Sequence, residues 1–408
     1  MHSQPPPSSD PTLFDAANGT TGSDPETWGL LWVWPERRFT PLTDGMTVGR
    51  GADATHVLRG NSISRLHARF IRLGTVWEVE DLDSRNGSRV DGRSGGLSPL
   101  LEQSVVRLGD WVAVVCGAEA EDTTDPAWLG EALPGFVAGA RTRRALAPLQ
   151  ALAPDELPLL LLGEEGSGKE VVARGVHHLS GCPGRYAAAN PAASGERAEA
   201  ELFGYAKDLT DGTTQEVEGC MHAAHLGTLF VDYLDAMPPA VQTKLARVLE
   251  VHLATPLGRT RPRAADFRLI AAAREPLERG VMAGRLSAEL AARFGTDAVT
   301  IPPLRRRRED ILPIFEHALR RGGTHKDVTS AFVEALCLYD WPFNVRELVQ
   351  LAWLLSISSE PTLDAGDLPE RFGVERSASG SAKRPAPKSP RVSMSRRRPR
   401  DWDESSYV

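Results

Sequence analysis

From residue 30 to about residue 117, apolar and polar positions alternate over short segments rich in Val, Trp, Phe and Ile, broken at Asp44-Gly45, Asn86-Gly87 and Asp91-Gly92. A period of two closed by Asp-Gly and Asn-Gly turns predicts an antiparallel β-sandwich over 28–117. The pattern then changes. Apolar runs at 157–162, 228–231 and 267–271 do not alternate, and Ala/Leu/Glu/Arg-rich stretches separate them. Such runs predict buried parallel strands with helices on both faces, an α/β unit over 134–308. From 309 to 373 the pattern is helical only, and a small helical lid is expected there. Residues 118–133, acidic and containing Asp122-Thr123-Thr124-Asp125-Pro126, read as a linker. The first 27 residues read as a disordered leader and 374–408, without apolar periodicity, as a disordered tail.

Composition agrees with several globular domains: 408 residues, 41% hydrophobic and 25% charged. No apolar run approaches the roughly 20 residues that cross a bilayer, and the N-terminus lacks the basic-then-apolar order of a secretory signal. A cytoplasmic protein with no membrane partner is expected. The cysteines, Cys116, Cys182, Cys220 and Cys337, form no Cys-x-x-Cys pair, which suits reduced thiols better than a metal knot. The net charge of −7 hides an asymmetry, because residues 376–400 carry nine Lys or Arg and no acid. A cationic tail on an acidic body fits an anionic partner, either DNA held weakly and without sequence preference or the body itself; a solvated extension is the plain alternative.

The strongest chemical signal is Gly163-Glu164-Glu165-Gly166-Ser167-Gly168-Lys169-Glu170, placed after a buried-strand pattern and before a helical one. Glycines at 163, 166 and 168 let the backbone turn its N–H groups toward phosphates, and Lys169 brings a point charge. ATP or another nucleoside triphosphate is the expected ligand. Glu170 stands where the general motif has a Ser or Thr hydroxyl for magnesium. Some sixty residues on, an apolar strand pattern ends in Asp232, placed to hold Mg2+ opposite the loop. The next residue, Tyr233, has a phenol and cannot serve as a carboxylate base; loss of a positioned base costs about 10²–10⁴-fold in rate.

With these residues in place, 134–372 resembles the AAA+ domain of sigma-54-dependent transcription activators. The resemblance rests on the loop with its Glu170, on Ala189-Asn190, Glu201-Leu202-Phe203-Gly204, Gly227-Thr228-Leu229-Phe230-Val231-Asp232, Phe267-Arg268-Leu269-Ile270-Ala271-Ala272 and Trp341-Pro342-Phe343-Asn344-Val345-Arg346-Glu347-Leu348. It implies a switch role for Asn190 and a nucleotide-sensing role for Arg346. Departures fall on chemistry. The loop that touches sigma-54 in the family reads Asp208-Leu209-Thr210-Asp211-Gly212-Thr213 here, without its aromatic tip. The catalytic Glu becomes Tyr233 and the polar sensor Asn becomes Arg274. Of two arginines that reach a neighbouring subunit, only Arg293 matches as a possible arginine finger, with Ser287 at the first position. The tail after Val374 is too polar for the DNA-reading helix-turn-helix that commonly follows.

The N-terminal segment resembles a forkhead-associated (FHA) domain through Gly49-Arg50, Ser64-Arg65-Leu66-His67 and Asp83-Ser84-Arg85-Asn86-Gly87. Arg50 offers a guanidinium fork, Ser64 a hydroxyl, Arg65 a second cation and Asn86 an amide. By resemblance the partner is a phosphothreonine-containing protein. His67 is expected to be a buried structural histidine.

Three readings remain open on sequence. In the first, the protein is a phosphothreonine-responsive, ATP-binding regulator with weak or absent hydrolysis, assembling as a ring or dimer. The second is an active AAA+ ATPase that remodels sigma-54 RNA polymerase, and the third an FHA scaffold that needs no nucleotide.

Overall fold

The computed structural model describes residues 28–121, 129, 132–133, 136–194, 197–206, 216–295 and 298–373. The expected leader, the tail and the segment aligned with the sigma-54 contact loop, 208–213, lie outside the described residues.

The N-terminal unit is the expected sandwich. Its strands are β1 (Trp28–Trp34), β2 (Arg38–Pro41), β3 (Met46–Gly49), β4 (His56–Val57), β5 (Ala68–Leu73), β6 (Val76–Asp81), β7 (Ser88–Val90), β8 (Arg93–Ser94), β9 (Leu97–Leu100), β10 (Val105–Leu108) and β11 (Trp111–Gly117). One sheet runs β2-β1-β11-β10-β7-β8 and the other β4-β3-β5-β6-β9. Pairing is antiparallel except for β3 with β4. Asp91 and Gly92 both take positive φ, 48° and 77°, in the turn between β7 and β8, as a two-residue hairpin of matching twist requires.

Strands β1 and β11 are buried on both faces. Leu30, Trp32, Ala113 and Val115 fill the sandwich interior. Alternate residues Leu31, Val33, Val112, Val114 and Cys116 enter a different core, shared with Phe315, Phe332, Leu336, Cys337 and Trp341 of the helical unit. The sandwich is thus docked on the lid rather than tethered to it. Residues 118–133, expected as a linker, also contribute: Ala118–Glu121 is a 3₁₀ turn, and Leu129, Ala132 and Leu133 are buried in the α/β core. Gly175 lets that segment approach, since a Cβ there would lie 2.6 Å from Leu133.

Five strands longer than two residues form the central sheet: β12 (Leu159–Leu162), β13 (Tyr186–Ala189), β14 (Thr228–Val231), β15 (Arg268–Ala273) and β16 (Ala298–Thr300). All are parallel, in the order β13-β14-β15-β12-β16. Numbering helices of seven residues or more, α1 (Ala140–Leu146), α2 (Lys169–Ser180) and α3 (Pro239–Val251) belong to this unit. The lid holds α4 (Ile311–Arg321), α5 (Ser330–Leu338) and α6 (Asn344–Ser356), which share one core. The lid is not purely helical: Asp327–Val328 pairs in parallel with Thr362–Leu363.

Candidate functional site

Parallel strands place their C-terminal ends side by side, and three adjacent ones supply the site. Gly163 opens the phosphate loop after β12, Asp232 and Tyr233 follow β14, and Arg274 follows β15, which pairs with both neighbours.

Five successive carbonyls of the loop are bonded within the protein. Lys169 Nζ donates to Gly163 O (3.0 Å) and Glu164 O (2.9 Å). Asn344 Nδ2 donates to Glu165 O at 2.9 Å. Gly166 O accepts from the N–H groups of Val345 (2.9 Å) and Arg346 (3.4 Å), and Ser167 O accepts from Arg307 at 2.9 Å. Residues after position 304 thus hold the carbonyls of 165–167, Lys169 holds those of 163 and 164, and α2 begins directly after the loop. Gly166 (φ 69°) and Gly168 (φ 104°) supply the left-handed turns. A Cβ on Gly166 would also sit 2.2 Å from Phe343 O. Ser167 Oγ is buried with no partner of its own. Left-handed glycines leading into a helix start, one orphan hydroxyl and one buried ammonium fit a polyphosphate.

Burial lowers the pKa of Lys169, with Asp232 opposing that shift. Burial raises the pKa of Asp232, opposed chiefly by Lys169. Each is therefore the other's main compensating charge. Among the described residues, no group of three His, Cys, Asp or Glu is placed to hold a metal. Glu170 is ion-paired with Arg174 at 2.8 Å, one helical turn on. Asn190 donates its backbone N–H to Glu201 at 3.0 Å, ahead of the helix that follows β13.

Around Asp232 the departures noted in sequence touch each other. Tyr233 takes a left-handed φ of 54°, and its N–H bonds the Asp232 carboxylate at 2.9 Å. The Arg274 guanidinium lies 4.9 Å above the Tyr233 ring, and the Tyr233 side chain is the chief cause that raises the pKa of Arg274. Arg274 also pairs with Glu165 at 3.1 Å, and Arg346 meets the same carboxylate at 2.8 Å.

On the sandwich, the loops 50–66 and 82–87 are knitted into one surface. Arg50 N–H donates to Ser64 O (2.9 Å), Arg85 N–H to Ser64 Oγ (3.0 Å) and Asn86 Nδ2 to Ser62 O (2.7 Å). Arg50, Arg65, Arg85 and Asn86 are exposed. His67 is fully buried. Its Nδ1 accepts from Ser64 N–H (3.2 Å), which leaves Nε2 to donate to Gly87 O (3.2 Å). Burial lowers its pKa, so a neutral imidazole pins both loops. Beside Asn86 lies a cleft of about 400 Å³ whose walls include Ser62, Arg89, Arg107 and Asp110.

Comparison with known proteins agrees with both halves. The Sigma-54 interaction domain family matches residues 137–300, the AAA+ ATPase lid domain 305–385 and the FHA domain 46–109. The chain is 38% identical over 219 residues to the probable regulatory protein WtsA of Pantoea stewartii subsp. stewartii, covering 52% of this chain and 68% of that protein. The chain belongs to the sigma-54-dependent transcriptional regulators. It is 38% identical to the C4-dicarboxylate transport regulatory protein DctD of Pseudomonas aeruginosa, with 56% of this chain and 51% of DctD covered. It therefore spans about half the length of some curated relatives. Its fold is similar to NtrX of Brucella abortus, at a TM-score of 0.54 and 28% identity over 59% of this chain and 57% of NtrX. NtrX structures in complex with ADP and with ATP are similar to the chain as well.

Within this sigma-54 regulator, Lys169, Asp232, Arg346 and the loop glycines converge, while Arg293 stands apart in a 3.3 Å surface pair with Glu250. Ser287, at the other arginine position, caps a short helix by accepting from Leu290 N–H at 3.0 Å. Sequence reasoning missed four residues of the site. Arg305 clasps both oxygens of Glu164 (2.7 and 2.5 Å). Arg307 is buried against Asp310 at 3.7 Å. Asn344 and Glu165 complete the set, and the arginine run 305–308 beside an acidic loop was their only visible signal.

Proposed function

We propose that this sigma-54 regulator is a phosphothreonine-responsive protein that binds ATP with Mg2+ and hydrolyses it slowly or not at all, without the usual sigma-54 contact loop. The single observation behind this reading is the Tyr233–Arg274 contact: where a carboxylate base and a neutral sensor would stand, a phenol lies against a guanidinium. The residues that would grip phosphate nonetheless remain. Lys169, with Gly163, Gly166 and Gly168, would hold the phosphates, Asp232 the metal, and Arg346 would report occupancy to the lid. ATP then acts as an assembly ligand in a cytoplasmic ring or dimer, where Arg293 would face a neighbour. The basic tail would add weak, sequence-independent contact with DNA.

Arg50, Ser64, Arg65 and Asn86 would take the phosphothreonine peptide. The exposure of Arg50, Arg65 and Asn86 on two loops joined through His67 supports that role.

The test is ATP binding and phosphate release measured on one preparation. Binding abolished by Lys169→Ala together with negligible turnover is the expected result. Vigorous phosphate release by the unaltered protein, lost on the same substitution, would establish the active-ATPase reading instead.

A further inference from the structure

The phosphate loop contains a second carboxylate that its own geometry does not require. Glu164 is accounted for by Arg305 and Asn344 on the outer side of the loop. Glu165 is different. Its carboxylate lies between Arg274 (3.1 Å), at the end of β15, and Arg346 (2.8 Å), on the first turn of α6. The charges of Asp232, Arg274, Glu165 and Arg346 all act on Lys169. Glu165 thus belongs to the same charge cluster as the ammonium that would meet phosphate.

That cluster sets three cations, Lys169, Arg274 and Arg346, against two carboxylates, Asp232 and Glu165. An arginine pair converging on one carboxylate has the geometry that grips a phosphate. The three groups are about one-third to one-half exposed, so their side chains can rearrange without disturbing the core.

We propose that Glu165 is an internal anion that occupies the Arg274–Arg346 pair until the terminal phosphate of a nucleoside triphosphate displaces it, and that Arg274 is a phosphate-binding residue. The same carboxylate ties the lid to the loop, because Arg346 is a lid residue while Arg274 belongs to the sheet. Entry of a triphosphate exchanges a bridge made by the protein for one made by the ligand. A diphosphate, one phosphate shorter, leaves Glu165 in place. This rests on the nucleotide-binding reading above.

Binding of MgATP and of MgADP to the full chain, followed by calorimetry, tests the idea with Glu165→Gln, Arg274→Ala and unaltered protein. Glu165→Gln removes a competitor tied by two exposed ion pairs, so ATP should bind roughly 2- to 30-fold more tightly, with ADP nearly unchanged. Arg274→Ala should weaken ATP and leave ADP alone. As a readout independent of ligand, amide exchange at the start of α6 in the nucleotide-free protein should quicken in Glu165→Gln. If the unaltered protein binds ATP but Glu165→Gln binds it no better, the latch is wrong and nucleotide binding stands. If no variant binds either nucleotide while His67-pinned folding is intact by circular dichroism, both readings fall.

Discussion

The guanidinium of Arg107, on strand β10 of the FHA domain, donates to the carboxylate of Glu334, on the second lid helix, at 2.7 Å. Arg89 reaches the same carboxylate at 3.7 Å. Glu334 is 5% exposed, so the carboxylate is buried beneath two arginines that line the cleft. A buried carboxylate is tolerated where cations surround it. Nearby, Ser330 at the head of that helix donates to Asp110 at 3.2 Å. Since Arg107 and Asp110 also line the cleft beside Asn86, the loops around Asn86 and the lid belong to one packed body.

That packing predicts shared unfolding. Leu336 lies in the common core with Leu31, Val112 and Val114, and truncating such a residue costs about 2–5 kcal/mol. Leu336→Ala should lower the melting temperature of the FHA domain as well as the lid, in one transition. Amide exchange at Trp32 and Trp111, which meet edge to face inside the sandwich at 5.5 Å, reports the FHA half. A sandwich melting unchanged beside a destabilised lid would refute the shared body.

Phosphate recognition separates from stability at Arg50. Its side chain is exposed, and its place in the loop is held by a backbone N–H to Ser64 O. Arg50→Ala should weaken binding to a phosphothreonine peptide library about 10-fold or more, as expected for a charge-assisted contact, while the melting temperature stays within about a degree. Equal binding by variant and unaltered protein in fluorescence anisotropy would remove the phosphopeptide role.

Hydrolysis should be recoverable, but not at one position. A carboxylate placed by Tyr233→Glu would fall within reach of Arg274, which now stacks on the phenol, and an ion pair would hold it away from water. The double variant Tyr233→Glu, Arg274→Asn should therefore raise turnover by about 10²-fold or more, and the single variant by much less. Steady-state phosphate release checks it. Equal rates in the two variants would show that Arg274 does not restrain the new base.

Much of this was legible in the chain. The turns at Asp91-Gly92 and the strand before Gly163 followed from φ requirements and periodicity, and the central strands Thr228–Val231 and Arg268–Ala273 fell where apolar runs stood. The docking of the two halves was not recognised, although a trace of it was present. Residues 111–116 are apolar without alternation, and a strand in a one-sided sheet should alternate. Continuous apolarity marks two buried faces, yet it does not say what covers the second. Glu165 and Asn344 were invisible for another reason. Their partners, Arg274 and Glu165 O, are 109 and 179 residues distant, and only the fold brings such positions together.

The hinge between sheet and lid carries its own titration. Glu309 is 2% exposed, with Oε2 lacking a partner. Burial, with the neighbouring Asp310 charge, holds its pKa up at about 7 against an ordinary 4.5. Arg141 and the Gln103 side chain oppose that shift but do not cancel it. Between pH 4.5 and 7 the unfolded chain has released this proton and the folded chain keeps it, so folding takes up a proton. Stability should fall as pH rises through that window and level off above it. Burial raises Asp310 in the same direction, which adds to the slope. Glu309→Gln should flatten the fall and raise the melting temperature by a few degrees at pH 8, with little change near pH 5. Gln103, from the FHA domain, accepts the Arg308 N–H at 2.6 Å beside this carboxyl. Loss of the FHA–lid contact would therefore admit water to Glu309 and erase the same slope. Parallel pH profiles for Glu309→Gln and unaltered protein, by differential scanning calorimetry, would rule the buried carboxyl out as its source.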